Sequence, residues 1–439
     1  MKILMMSKTG RGFGIAHKLS EEGHDIQVFV QNRRCEDALL GVVGFVQGWR
    51  PVAAEWADLV IADEVGFGQY AAVLDGFGVP HIGINLIGDK LGSDPAKQIQ
   101  AMRKVDIQIP ETYEFDSPGE AREMLRELWG RDTIGWSIMP SGKVYTGKPF
   151  KVRDQDTLEW ALEYYAADQA VIAQKLVYNS IEIGTTGWFS GELWVEPFSH
   201  NMDDRRLLND DLGLKVDSMG SVSWAVSGKD MFVDELQKLA PILKAAQYKG
   251  PITLHSVASK KGIFAIDITA GFSYDGIEAL YELLAEPLSD ILIQIGLGTR
   301  SENKVRKGMY GVVARLTVLP YPHMPPDYLD KGMPILGVPS SVNSMAHCFL
   351  MDISKDGAIY RWAASSGVLM KISASDKNLS SAVKTLYKRI ERITTPGVQY
   401  RTDIGSRVAE DTDELEQWEY LTPPSFLQSI TSLVKSGAA

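Results

Sequence analysis

The sequence predicts an α/β protein of more than one domain, on three observations. The first is a strand, a glycine-rich turn, a helix and a second strand in succession: Ile3–Met6, Gly10-Arg11-Gly12-Phe13-Gly14, Ile15–Glu22 and Asp25–Val30. A helix that returns the chain between two strands is the unit of a parallel sheet. The second is Thr133–Val152, where glycines interrupt an alternating run and predict a hairpin. The third is a set of short strands beginning after Lys307, at Gly311–Leu319, Ser344–Asp352, Ala358–Trp362 and Gly367–Ile372, followed by a helix at Leu379–Ile393. That order predicts an α+β region. At 439 residues the chain has length for two to four domains.

The remaining elements follow from pattern. Asp58–Ala62 and Pro80–Ile84 extend the parallel sheet around a helix at Gln69–Gly76, which gives an N-terminal Rossmann-like unit over residues 1–92. Pro95–Val105 reads as a helix. Ser117 and Glu120 form a capping box that opens another at Pro118–Trp129. Asp156–Asp168 is a helix, Ala170–Leu176 a strand, and Glu182–Phe189 with Glu192–Pro197 a hairpin. Met231–Ala246 and Glu278–Gly296 read as single helices. Ile252–Val257 and Ile263–Thr269 pair across Lys260-Lys261-Gly262, and alternation puts Asp267 and Thr269 on one face. The second domain is assigned to 93–305 with a lid at about 130–190, the third to 306–425, and 426–439 to a frayed tail.

Composition narrows the function. Hydrophobic residues make up 45% and charged residues 23%, the balance of a soluble globular chain. A net charge of −11 argues against binding nucleic acid, which needs a basic face. Small anions can still be held in local basic pockets. Cys35 and Cys348 form neither a disulfide framework nor a zinc pattern and suit a reducing cytosol. No run of 18 apolar residues exists, and Lys8 cuts short the apolar start. The expectation is a cytoplasmic protein with no membrane partner.

His200–Gly220 carries Arg205, Arg206 and five aspartates between two strand-like runs. A long charged loop on a rigid sheet is where binding and catalysis concentrate. The alternative is a solvated loop in which the arginines pair with Asp203, Asp204, Asp210 and Asp211. Gly10–Gly14 lacks full dinucleotide spacing, yet its amides at a helix N-terminus could cradle a phosphate. Gly142–Lys148 matches G-x-x-x-x-G-K, but Pro149 has no hydroxyl for magnesium and no helix follows. A hairpin holding Lys148 over a phosphate is the better reading. An unpaired buried carboxylate is costly, so Asp267 suggests a metal ligand or an ion pair. His255 reads as a hydrogen-bonded core histidine, and Glu64 as a substrate contact or a helix cap.

Several stretches resemble, in order over roughly residues 1–410, the phosphoribosylamine–glycine ligase family of the ATP-grasp superfamily. They are MKILMMSKTGRGFGIAHKL at the start, DLVIADE (58–64), GSDPAKQIQAM (92–102) with IPET (109–112), the Gly213–Gly220 loop with its final Met-Gly, and PGVQYRTDIGSR (396–407). The last is the most specific. The resemblance implies an ATP-grasp architecture, and amide formation in which ATP phosphorylates a carboxylate and an amine attacks the acyl phosphate. It implies ATP with Mg2+ (or Mn2+) as cofactors, small carboxylate and amine substrates, and a monomer or homodimer. It implies ATP contacts from Lys97, Lys148, Gln174, Lys175 and Glu182, with Glu182 on the ribose. Asp267 and Thr269 would take the metal, and Arg205 and Asp211 catalytic roles. Gly10, Gly12, Glu64, Lys215 and Gly220 would face the substrate. Four departures stand out: Met139 replaces a lid lysine, Ala173 stands at the hinge where the family has acidic residues, Thr269 replaces an asparagine and Gly271 an arginine.

Two functions fit. One is a carboxylate–amine ligase with an altered substrate, since the loop at 213–220 and Gly271 both depart from the family pattern. The other is an ATP-grasp scaffold without turnover that serves as a nucleotide-binding or assembly module. A nicotinamide dehydrogenase built on Gly10–Gly14 would leave the lid and the 396–407 signature without a role.

Overall fold

The structure is a computed structural model that describes residues 1–129, 135–141, 149–226, 230–299, 304–323 and 331–421. Five parallel strands open it, in the order Gly44–Phe45, Asp25–Val30, Lys2–Ser7, Leu59–Ala62 and His81–Ile82. This is the doubly wound unit expected, and the order reverses beside Lys2–Ser7, where such sheets form a crevice. The middle strands are apolar runs because helices cover both faces. Phe13–Glu21 follows the glycine turn.

A second sheet of four strands runs Thr112–Phe115, Val171–Lys175, Trp136–Pro140 and Phe150–Val152. Pro118–Trp129 and Gln155–Glu163 pack on it around Leu125, Leu158 and Leu162. The Glu120 amide donates to Ser117 Oγ at 3.3 Å, as the capping box requires. This sheet holds most of the segment expected to form a lid, and adds Thr112–Phe115 from before it. Trp136–Pro140 and Phe150–Val152 pair antiparallel, as the predicted hairpin demands, while its tip with Lys148 lies outside the described residues.

The core is a nine-stranded sheet. Its order is Gly262–Ala270, Lys249–Ser259, Ile181–Ser190, Trp194–Asp203, Gly220–Ala225, Tyr310–Val318, Val368–Asp376 and Cys348–Leu350, with Val398–Gln399 also pairing Tyr310–Val318. Gly220–Ala225 bonds directly to Tyr310–Val318, so one sheet runs across the division expected at 305/306.

Three elements differ from expectation. Met231–Ala246 is two helices, Met231–Gln237 and Ala240–Ala245, because Pro241 restarts the helix. Glu278–Gly296 is likewise Gly276–Tyr281 and Leu288–Leu297, with Pro287 at the second N-cap. The charged segment is not a loop. Trp194–Asp203 continues through its first residues, and Arg206–Leu208 pairs with Leu212–Lys215 as a small hairpin. Arg401 fastens that hairpin. Its guanidinium, 2% exposed, donates to Asp403 at 2.8 and 2.7 Å, to Asp211 at 2.9 Å and to the Arg206 carbonyl at 3.2 Å. Thr402 and Asp403 bond Asn209 and the Asp210 amide. The signature near the end of the chain is thus a buckle for the charged segment.

Candidate active site

A cavity of about 290 Å³ opens on the core sheet where Ile181–Ser190, Trp194–Asp203 and Lys249–Ser259 run side by side. Glu182, Arg205, Lys215 and His255 line it, with Lys151 from the lid and Arg407. In the adjoining strand Gly262–Ala270 a bulge at Ile266, opposite the step from His255 to Ser256, keeps Ala265, Ile268 and Ala270 in one buried cluster. Alternation then leaves Phe264, Asp267 and Thr269 on the opposite face.

Arg205 organises the site. Its Nη1 lies 3.3 Å from Glu182, and its Nη2 lies 3.1 Å from Asp203 and 3.1 Å from His255 Nδ1. A guanidinium only donates, so His255 Nδ1 accepts. The imidazole therefore carries its proton on Nε2 and donates it to Thr269 Oγ1 at 3.0 Å. Burial and Arg205 hold His255 below its ordinary pKa, against Asp267 and Asp203, which keeps it neutral. Burial raises the Glu182 carboxyl, but Arg205 and Lys215 outweigh it and hold Glu182 ionised. Burial and Arg205 also lower Lys215, against Glu182.

The other expected residues divide. Asp211 lines the cavity but is paired with Arg401 at 2.9 Å and Arg407 at 2.7 Å, so it holds the hairpin. Gly220 is a packing residue: a Cβ there would lie 2.5 Å from the Val313 carbonyl and 2.6 Å from Ile404. Lys97 bonds Gln100 on its own helix at 3.1 Å, away from the cavity. Gln174 turns into the lid toward Thr112, and Lys175 pairs with Glu111 at the linker from lid to core. Lys151 and Arg407 were missed, while Asp203 pairs with Arg205 as the solvated-loop alternative expected. Lys151 follows Lys148 by three residues on a short strand, which was the available signal; Arg407 closes the signature, a place that gave no hint of the cavity.

Gly10 and Gly12 spend their amides internally, on Ser7 Oγ at 2.8 Å and Asp63 Oδ2 at 2.7 Å. Glu64 bonds Thr9, and Arg11 reaches across to Asp217. The turn is therefore tied to the charged segment rather than open to a phosphate. Asp63 is 2% exposed, and burial with Glu64 pushes its carboxyl up to about 8, against hydrogen bonds from Ser7 and Gly12. Its raised pKa gives stability that is complete below the ordinary value of 3.8 and lost as pH rises through about 8. Asp63→Asn keeps an acceptor for both donors. It should melt like wild type near pH 4 and several degrees higher by pH 8.5; a melting difference that does not change with pH would refute the assignment.

Asp267 and Thr269 stand on the strand beside the cavity, Asp267 paired in register with His255 and Thr269 hydrogen-bonded to it. Asp267 Oδ1 accepts the Ile268 amide at 2.9 Å, and among the described residues no group of three His, Cys, Asp or Glu is placed to hold a metal. One carboxylate suits magnesium when phosphate oxygens and water complete its shell, so the residues fit a metal that arrives with a nucleotide. Among the described residues no helix is long and apolar enough to cross a membrane.

A doubly wound N-terminal sheet, a separate lid sheet and a cavity on the core sheet with charged walls define an ATP-grasp fold. Within that class the chain resembles phosphoribosylamine–glycine ligase. No family model matches the chain. The enzyme of that name from Leifsonia xyli is 27% identical over 226 residues, covering 48% of this chain and 52% of the relative, so that match spans about half of either protein. That of Clostridium acetobutylicum is 20% identical over 434 residues, covering 92% and 99%. The solved phosphoribosylamine–glycine ligase of Thermotoga maritima superposes with a TM-score of 0.71 at 15% identity, covering 92% of this chain and all of that one. A biotin carboxylase–ATP complex from Campylobacter jejuni gives 0.63 at 13%, covering 96% and 98%.

Proposed function

We propose that the chain is an ATP-dependent carboxylate–amine ligase that resembles phosphoribosylamine–glycine ligase but takes a different small substrate. The observation that carries this is the meeting of Glu182, Arg205, Lys215 and Lys151 in one cavity, with Asp267 and Thr269 beside it. Arg205, Lys215 and Lys151 supply cationic donors for phosphate oxygens, and Glu182 is an ionised acceptor for a ribose hydroxyl. Asp267 would hold magnesium (or manganese), which offsets charge on the transferring phosphate when bound. The lid excludes water from the activated carboxylate. Its second lysine, Lys148, belongs to this proposal on sequence grounds alone. The protein acts on small molecules, as a monomer or homodimer, in the cytoplasm.

The altered substrate is argued from Gly271. Its φ of +139° is a conformation that L side chains rarely adopt, and nothing lies within 4 Å of where a Cβ would point. The guanidinium of the related ligases is missing and the backbone is committed to glycine. Incubation with ATP, magnesium and a panel of carboxylates and amines should release ADP with at least one pair. Arg205→Met should cut that release by about a hundredfold or more, with the rate constant falling further than the affinity for ATP. Release unchanged in the variant would refute the site. Met139 in place of a charged donor favours a second reading, a nucleotide-binding scaffold without turnover. Calorimetric binding of ATP-magnesium with no ADP from any pair, glycine and phosphoribosylamine included, would select it.

A further inference from the structure

The helix Val408–Gln417 spans the cleft from end to end. Asp411 in its first turn, with Arg407 just before it, lines the 290 Å³ cavity. Glu414 and Trp418 at its far end line a second cavity of about 660 Å³. The other walls there are the linker Lys175–Asn179, the turn Ser259–Lys261 and Phe264. Phe264 shares the strand face of Asp267 and Thr269, so the two cavities follow one another along that strand. One is ringed by charge. The other has three aromatic side chains, Tyr178, Phe264 and Trp418, and a stretch of backbone that joins the four-stranded sheet to the core. A ten-residue helix is about 15 Å long, a molecular length that suits a ligand with a charged end and a flat end.

The helix is fixed in place. Arg407 pairs with Asp211 at 2.7 Å, and Leu415 is fully buried. The Tyr420 hydroxyl donates to the Ser259 carbonyl at 2.9 Å, and its ring meets Phe232 edge-on at 6.4 Å. Trp418 packs edge-on against Tyr420 at 6.0 Å, which holds the indole at the cavity wall.

We propose that this helix is part of the nucleotide site, with Trp418 forming one face of the slot for the purine base and Glu414 offering an acceptor to its amino group. The inference rests on the ATP-dependent reading and adds residues that neither the chain's resemblance nor its charge pattern pointed to. Phe264 supplies further apolar wall, and a base lying on an indole gains stacking that an aliphatic side chain cannot supply.

The test is titration of wild type, Trp418→Leu and Trp418→Phe with magnesium-ADP and with inorganic tripolyphosphate, followed by calorimetry. Trp418→Leu should bind ADP about ten- to a hundredfold more weakly, with tripolyphosphate binding unchanged, and Trp418→Phe should recover most of the loss. ADP binding equal to wild type in Trp418→Leu would overturn the proposal. So would an equal loss for both ligands, which marks general damage to the cleft. A wild-type protein that binds neither ligand would overturn the nucleotide reading itself, a result distinct from both.

Discussion

Replacing Arg401 by methionine should cost about 3–5 kcal/mol of stability, because it removes one partner from a buried ionic cluster. The guanidinium sits among Asp211, Asp403 and, at 3.5 Å, Asp204. Burial draws its pKa down, but these carboxylates more than offset that and hold it charged. Burial has already pushed Asp204 up to about 6 against the pull of Arg401. Without Arg401 the carboxylates face one another, with Arg407, 58% exposed, as the remaining nearby cation. The damage should be local first. Amides of Arg206–Lys215 should lose protection in hydrogen exchange well before the core sheet does. Urea unfolding within 1 kcal/mol of wild type, with that hairpin still protected, would mean that Arg401 is not the buckle.

Asp275→Asn is the second large effect. Asp275 is fully buried and accepts from Arg315 Nε at 2.9 and 2.8 Å and from Lys371 at 2.8 Å. Lys371 also bonds Glu278 and lies 4.7 Å from the centre of the Tyr274 ring. Burial would raise the Asp275 carboxyl, yet Arg315 and Lys371 bring it to about 2. A depressed folded pKa gives stability that is present above the ordinary value of 3.8 and lost as pH falls through about 2. At neutral pH the amide leaves two buried cations sharing Glu278, at a cost of about 3–5 kcal/mol. Chemical unfolding should show that gap at pH 7 and see it shrink below pH 4. A gap independent of pH would mean that packing, not charge, is what the substitution disturbs.

The N-terminal unit was legible because buried parallel strands read as apolar runs and a glycine turn marks the helix start. Helix ends were less so. Pro241 and Pro287 were visible, but the apolar period on either side of each outweighed them in the reading. The charged hairpin escaped because its strands are three and four residues long and exposed Leu208, Leu212 and Leu214 give no inward face to detect. In the site, Glu182 opens a recognisable strand and Arg205 follows one, so both stood out, whereas Lys215 was singled out only through the resemblance of the 213–220 loop. Asp211 and Gly220 have partners, Arg401 and Ile404, in a segment nearly two hundred residues later, which no local pattern reveals. Chemistry and packing place the same residue types there, and sequence-distant contacts decide between them.

The direct bonding of Gly220–Ala225 to Tyr310–Val318 bears on how the molecule can move. The floor of the cleft and the C-terminal strands are woven into one ladder, and shearing them apart would break backbone hydrogen bonds along its length. The lid hangs from that ladder by the stretches near Glu111 and Lys175. Any movement of the four-stranded sheet against the core would have to bend those stretches, and a distance probe between Trp160 and a label on Val368–Asp376 would register it.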